Sequence, residues 1–167
     1  GYASADYMLW GGLPVTVLFF VGLIGGCAGS TSCSIKVFRY QLLFASIKAQ
    51  LRKIHSPNGM FTPRYDGRSI DDDVLNSVMS FFVFFIVTLG VVAVLLGLTG
   101  LDFITSLSGA SAALANIGPG LGDHIGPSGN FGGLNDIAKW LLAAAMLIGR
   151  LELMVVYAIL TVRFWQA

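Results

Sequence analysis

Asn116-Ile117-Gly118-Pro119-Gly120-Leu121-Gly122 is an uncharged, glycine-rich stretch set between two strongly apolar regions. The run before it, Phe103 to Ala115, is too short to cross a bilayer, which takes about 20 apolar residues in a helix. Irregular backbone at membrane depth survives only when it is buried in protein or lines a wet cavity. Glycines let carbonyl oxygens turn toward a common axis with no side chain in the way. Rings of such carbonyls can replace the hydration shell of a permeating cation. The stretch therefore points first to an ion pathway.

The rest of the chain supplies the membrane. Its 167 residues are 55% hydrophobic and 11% charged, with a mean hydropathy of +0.76. A soluble domain carries about 25% charged residues, so the fold class expected is an all-α integral membrane protein. Three apolar regions support this: Met8 to Ile24, Val74 to Leu101, and Trp140 to Val162, the last interrupted by Arg150 and Glu152. No basic n-region or small-residue cleavage site precedes the first, so it does not read as a signal peptide.

Seven of the ten lysines and arginines (Lys36, Arg39, Lys48, Arg52, Lys53, Arg64, Arg68) lie between the first two apolar regions. The positive-inside rule places that connection in the cytoplasm and the glycine stretch on the outer side. Asp6, Asp102, Asp123 and Asp136 then face outward against one lysine, Lys139, an acidic mouth that would concentrate cations. A basic segment between two spans has topology and anionic lipid as its expected partners, with no nucleic acid. Cys27 and Cys33 lack the company of a metal site and read as small apolar residues.

Val74 to Leu101 reads as an outward helix that Asp72 or Asp73 could cap. Asp102 suits the N-cap of a half-helix from Phe103 to about Ala115, whose serines, alanines and Gly109 permit close packing. The negative C-terminal end of that half-helix would aim at the glycine stretch and favour a cation. A re-entrant plug would need neither that dipole nor the outer acids. Lys36 to Lys53 has apolar residues at Val37, Tyr40, Leu43, Phe44, Ile47 and Leu51, spacing that suits a helix with a basic face. Ser56-Pro57-Asn58-Gly59 breaks it. Arg64 to Asp73 is polar and reads equally as a solvated loop or a docking site.

The chain also repeats itself imperfectly. Gly11-Gly12-Leu13 corresponds to Gly132-Gly133-Leu134, Ile24-Gly25-Gly26 to Ile148-Gly149-Arg150, and Gly1 to Gly118. Paired glycine-interrupted segments point to a pathway at a repeat interface. Gly25 to Ser34 is ten small residues in succession, poor helix material. It admits two readings, a loop that obstructs the pathway or a helix end at the cytoplasmic boundary. Arg150 sits midway along an apolar region, where an arginine is expensive and marks a functional site. It could act as a barrier or hold loop carbonyls, and the repeat sets Gly26 opposite it. Glu152 at i+2 does not share its helix face.

No enzyme is expected. Gly120-Leu121-Gly122-Asp123 and Tyr65-Asp66 mimic the two dipeptides of intramembrane aspartyl proteases, whose carboxylates must share a proton. Here the charge pattern sets Asp66 and Asp123 on opposite sides of the membrane. The glycine loops lack the strand and Gly-Lys-Ser/Thr of a nucleotide site.

Asn116 to Gly122, the segment Gly25 to Arg39, and Gly149-Arg150-Leu151-Glu152 together resemble the Trk/Ktr/HKT superfamily of potassium transporters, closest to the TrkH type. The resemblance implies four helix–pore-loop–helix repeats around one pore, of which this chain would hold the end of the third and the whole fourth. Residues 1–36 would end the third repeat, 37–73 form the basic cytoplasmic connection, and 74–167 the fourth repeat. Gly1 would be the third filter's glycine, and Asn116, Ile117, Gly118, Pro119 and Gly120 the fourth filter, with potassium at Gly1, Ile117 and Gly118. Gly25, Gly26, Cys27, Ala28, Gly29, Ser30, Thr31 and Ser32, with Arg150, would form the gate. A glycine run common before Ile-Lys is replaced here by Ser32-Cys33-Ser34, which stiffens that loop. The partners implied are membrane lipid, the N-terminal remainder of the protein, a second copy in a homodimer, and a cytosolic nucleotide-binding TrkA-type subunit. The expected location is the bacterial inner membrane, crossed several times, with K+ as the ion and no covalent cofactor.

Overall fold

The computed structural model describes residues 3–27, 29–30, 33–56, 59, 62–151 and 153–160. Six helices carry the described chain: α1 (Gly12–Gly22), α2 (Val37–His55), α3 (Asp72–Leu98), α4 (Phe103–Ala115), α5 (Asp136–Arg150) and α6 (Leu153–Leu160). A two-stranded hairpin, β1 (Arg64–Tyr65) with β2 (Arg68–Ser69), joins α2 to α3.

Helix α3 is the spine. Its 27 residues extend about 40 Å at ~1.5 Å per residue. Among the described residues it is the one helix long and apolar enough to cross a membrane. Phe81, Phe85, Thr88, Val92 and Leu96 are buried along one face, while Val83, Ile86, Val87 and Leu98 on the other faces are exposed. A helix apolar on its exposed side as well suits hydrocarbon rather than water. The N-cap is Asp71, one residue before the two expected candidates, because Asp72 and Asp73 already have helical backbone in the first turn. The helix stops at Leu98, three residues short of the expected end, where Gly100 takes φ 89°.

Helix α4 is the centre of the core. From Ser108 to Ala115 every residue is buried, wedged between α3 and α5. Its span and its cap match the sequence expectation: the Asp102 carboxylate accepts from the Thr105 amide at 3.3 Å. Small residues allow the approach. A Cβ on Gly149 would collide with the Leu114 carbonyl oxygen, and one on Gly109 would lie 3.2 Å from Ile125 Cδ1.

The last apolar region is not one helix. Helix α5 ends at Arg150 and α6 begins at Leu153. Their surroundings differ: α5 lies against α4 through Gly149 and against α3, whereas α6 packs on α3, with the Thr88 and Tyr157 hydroxyls 2.8 Å apart and the Phe84 and Tyr157 rings 4.9 Å apart. Glu152, set aside above as a partner for Arg150, lies outside the described residues.

Helix α1 has only 11 residues, preceded by a 3-10 turn at Tyr7–Trp10 that the Asp6 carboxylate caps through the Met8 amide, at 3.0 Å. Past Leu23 the described residues form no helix before α2. The two arms of this segment are pinned side by side: Gly25 N donates to Ile35 O at 2.8 Å and Val37 N to Gly26 O at 3.2 Å. The Ser34 hydroxyl adds a bond to the Leu23 carbonyl.

Helix α2 is fixed by Leu42, which is buried, by Tyr40 edge-on to Phe82 at 5.3 Å, and by the Arg39 guanidinium 3.8 Å from the Phe81 ring centre. The expected apolar stripe is split by this packing, with Phe44, Ile47 and Leu51 facing outward. The hairpin is the one element the sequence reading left as loop. Asp66 and Gly67 take φ 50° and 78°, the pair of left-handed residues that a two-residue type I′ turn requires. The Tyr65 hydroxyl ties the hairpin to α2 through Gln41 Oε1, 3.0 Å away.

Gly149→Ala is expected to destabilise the protein by about 3 kcal/mol, at the upper end of overpacking costs, since the obstructing atom is backbone. Gly133→Ala, at a glycine with open space around its Cβ position, is expected to be neutral. Thermal unfolding of the two variants in detergent tests this; equal melting temperatures would contradict the close approach of α4 and α5.

Candidate functional site

The site is built from the C-terminal end of α4 outward. Asn116 leaves the helix in the left-handed conformation, φ 52° and ψ 42°. Its amide donates to Ala113 O at 3.1 Å and that of Ile117 to Ala112 O at 3.0 Å. This is the Schellman pattern, which closes a helix and satisfies its last carbonyls. The Asn116 side chain then reaches α5, donating from Nδ2 to Met146 O at 3.1 Å. Gly118 follows with φ 111°, a region L side chains rarely adopt.

Beyond Gly118 the backbone is held by α4 and by its own return. The Ser108 hydroxyl, buried, receives the Leu121 amide at 3.0 Å and lies 3.3 Å from the Leu121 carbonyl. Gly120 N donates to Ile125 O at 2.7 Å and Gly126 N to Gly122 O at 3.0 Å. The Gly120 carbonyl accepts from the Tyr7 hydroxyl at 3.0 Å. Among the described residues, no donor meets the four successive carbonyls of Asn116, Ile117, Gly118 and Pro119. The loop is therefore braced on both flanks, with four carbonyls in the middle left for another partner.

Beside Asn116 and Ile117 lies a cavity of about 320 Å³, bounded by Gly22, Gly25, Cys33, Ser34 and Arg150. Gly22 admits the Ile117 side chain, whose Cδ1 would be 2.8 Å from a Cβ there. Arg150, at the last turn of α5, donates from Nη1 to Cys33 Sγ at 3.6 Å. The arginine thus touches the small-residue segment at Cys33, whereas the repeat sets Gly26 opposite it. A second, more apolar cavity of about 260 Å³ lies on the other side of the loop, among Tyr7, Phe19, Ser108, Pro119 and Gly120.

The structure thus gathers Asn116, Ile117, Gly25 and Arg150 around one space, while Gly118 lines another with Phe131, Lys139 and Met146. Pro119 and Gly120 turn toward Tyr7 and Ser108 instead. Cys27, Gly29 and Ser30 are exposed, with Ser30 N bonded to Cys27 O at 3.0 Å. Gly1, Ala28, Thr31 and Ser32 lie outside the described residues. Sequence reasoning passed over Ser108, Tyr7 and Gly22. The serine stood among packing residues, and nothing in the pattern set it apart as the brace of the loop.

At the head of α4, Thr105 holds the Asp102 carboxyl below the ordinary carboxylate range, through its side chain first and its amide second. A depressed carboxyl supports the folded state above the unfolded value of about 3.9, and that support is lost as pH falls through the lower folded value. The half-helix cap is therefore intact at neutral pH. The two acids of the protease-like dipeptides lie apart in the fold: Asp66 in the exposed hairpin turn on α2, Asp123 in the exposed loop after Gly122.

Residues 1–164 match the family model TrkH, described as a cation transport protein. The chain is 47% identical over 166 residues to the Trk system potassium uptake protein TrkI of Halomonas elongata, covering 99% of this chain and 34% of that protein. It is 36% identical over 169 residues to the Trk system potassium uptake protein TrkG of Escherichia coli, covering 100% of this chain and 34% of that protein. The crystal structure of the potassium transporter TrkH from Vibrio parahaemolyticus superposes with a TM-score of 0.90 at 34% identity, over 99% of this chain and 35% of that one. The chain spans about a third of the length of the relatives it matches.

Asn116 carries two separable contributions. Asn116→Gly keeps the left-handed backbone and loses the bond to Met146, an expected cost of about 1 kcal/mol. Asn116→Ala loses the bond and adds left-handed strain of about 1 kcal/mol more. Melting temperatures should fall in that order; a glycine variant as damaged as the alanine one would contradict the backbone assignment.

Proposed function

Because the chain belongs to the TrkH family of cation transport proteins, a membrane-embedded family of transporters and not of enzymes, we propose that it forms part of a potassium uptake pathway. The observation that carries this is the run of carbonyls from Asn116 to Pro119, Ile117 and Gly118 at its middle, which no donor meets among the described residues, at the negative end of a buried half-helix. A cation is the partner that both the carbonyl dipoles and the helix end favour. The printed names of the relatives supply the choice of potassium; the carbonyl argument fits any small monovalent cation.

In this reading α3, α4, the Asn116–Gly120 loop and α5 form the fourth helix–pore-loop–helix repeat of a four-repeat fold. Residues 1–36 close the third, with Gly1 as its filter glycine. Potassium passes between Gly1 and the Ile117 and Gly118 carbonyls. The segment Gly25 to Ser34 stands beneath it as a gate, and the Arg150–Cys33 contact supports that placement, since the arginine ties the irregular arm to the end of α5. A cation leaving the filter would meet the guanidinium charge, so Arg150 raises the barrier until the loop and arginine move together. The residues 37–73 form the cytoplasmic connection, in a protein that crosses the bacterial inner membrane several times, pairs as a homodimer and answers to a cytosolic nucleotide-binding TrkA-type subunit.

Potassium uptake by the full-length protein in a potassium-requiring strain tests the reading. Gly118 has a positive φ, and strain of the order of 1–3 kcal/mol at such a position is worth about a fivefold change or more in rate. Gly118→Ser is therefore expected to cut uptake at least that far with membrane expression unchanged. Full uptake by this variant would support a non-conducting subunit instead.

A further inference from the structure

A second feature lies far along the chain from the filter loop. The C-terminal half of α2 and the strand β1 enclose a cavity of about 360 Å³ whose walls include Lys48, Arg52 and Arg64. Lys48 and Arg52 are four residues apart and share one helix face. Arg64 is brought to them by the hairpin, which Tyr65 ties to α2. Ala45 and Ala49 form the floor, so no bulky side chain fills the space between the three cations.

Their charge is not neutralised from within the chain. No aspartate or glutamate occurs between Asp6 and Asp66, and among the described residues none of the three cations has an ion-pair partner. Like charges gathered around an open cavity repel one another unless an anion joins them. Alongside the cavity, α2 exposes a stripe of large apolar residues: Phe44 is 66% exposed, Leu51 62% and Ile54 76%. Free phosphate would answer the cations and leave that stripe in water. A helix basic on one side and apolar on the other lies at a membrane surface and takes anionic lipid.

We propose that Lys48, Arg52 and Arg64 bind the phosphate of an anionic phospholipid, whose acyl chains lie along the Phe44–Leu51–Ile54 stripe of α2. The proposal rests on the reading of residues 37–73 as the cytoplasmic connection. There the lipid would fasten the amphipathic helix, and the hairpin upon it, to the inner leaflet. A site of this kind sets the resting position of α2, which runs on from the irregular segment beside Arg150.

Native mass spectrometry of the detergent-purified full-length protein tests it, with phosphatidylglycerol, phosphatidylcholine, inorganic phosphate and polyglutamate as probes. Phosphatidylglycerol should be retained over phosphatidylcholine. Lys48→Gln, Arg52→Gln and Arg64→Gln should each lower that retention about fivefold, the effect of one surface cation on anionic lipid. Lys53→Gln, on α2 but outside the cavity wall, should leave it unchanged. A variant with a lowered melting temperature is replaced by its Arg→Lys or Lys→Arg counterpart, which keeps the charge and should keep the lipid. Equal retention of the two lipids, or three silent substitutions, would overturn the proposal. Displacement by equimolar inorganic phosphate would assign a soluble phosphate, and retention of polyglutamate with no lipid preference would assign an acidic protein partner. The lipid assay does not depend on orientation. The cytoplasmic placement is checked separately by a Ser69→Cys variant, whose labelling by an impermeant thiol reagent in intact cells, above the parent, would contradict it.

Discussion

A loop inside a membrane protein can hold a run of carbonyls open only if the backbone on either side of it is held elsewhere, and this constraint organises the fold around α4. The cost of an unpaired buried amide or carbonyl is about 1–3 kcal/mol, so the groups that flank the run need fixed partners. The amides of Asn116 and Ile117 return to the last turn of α4, those of Gly120 and Gly126 pair within the loop, and that of Leu121 takes the Ser108 hydroxyl. Ser108 and Tyr7 thus act as braces rather than as ligands. Remove them and the loop would have to turn its carbonyls inward.

Such bracing works only at short range, and this is where the small residues enter. Gly109 brings Ile125 and Leu142 to α4, Gly149 brings α5 onto the Leu114 carbonyl, and Gly22 lets α1 meet Ile117. Each glycine removes a side chain at a point where backbone or a branched residue occupies the space. The result is a half-helix buried on nearly every side, with polar side chains (Thr105, Ser106, Ser108, Ser111) in its core. They cost little there because the three serines bond to nearby backbone or are bonded by it, and the Thr105 side chain bonds to the Asp102 carboxyl.

Much of this was legible in the residues. Asp102 before an apolar run of small residues marked the start of α4, and Asn116 before glycines marked its end, because caps are local chemistry. The hydropathy of α3 marked a span for the same reason. What escaped depended on tertiary partners. The division of the last apolar region at Arg150 accompanies a change of neighbours, α5 packing on α4 and α3 and α6 on α3, which no periodicity records. The role of Ser108 follows from where the loop returns, thirteen residues on. The hairpin was missed although Asp66-Gly67 carries the turn signal; its strands are too short to show alternation. Within the site, Arg150 stood out by its cost in an apolar run, whereas Cys33 looked like one more small residue until the fold brought the two together.

The relation between the loop and Arg150 joins these strands. Asn116 donates to Met146 O, the carbonyl that faces Arg150 N one helical turn on. The same short stretch of chain thus anchors both the proposed cation site and the base of Arg150. The account's central claim is that Ile117 and Gly118 present their carbonyls to a cation. Anomalous diffraction from crystals of the full-length protein grown in rubidium addresses it most directly. The account predicts a rubidium peak within coordinating distance of the Ile117 and Gly118 carbonyl oxygens. Rubidium bound elsewhere along the pathway, with both oxygens hydrogen-bonded to protein, would contradict it.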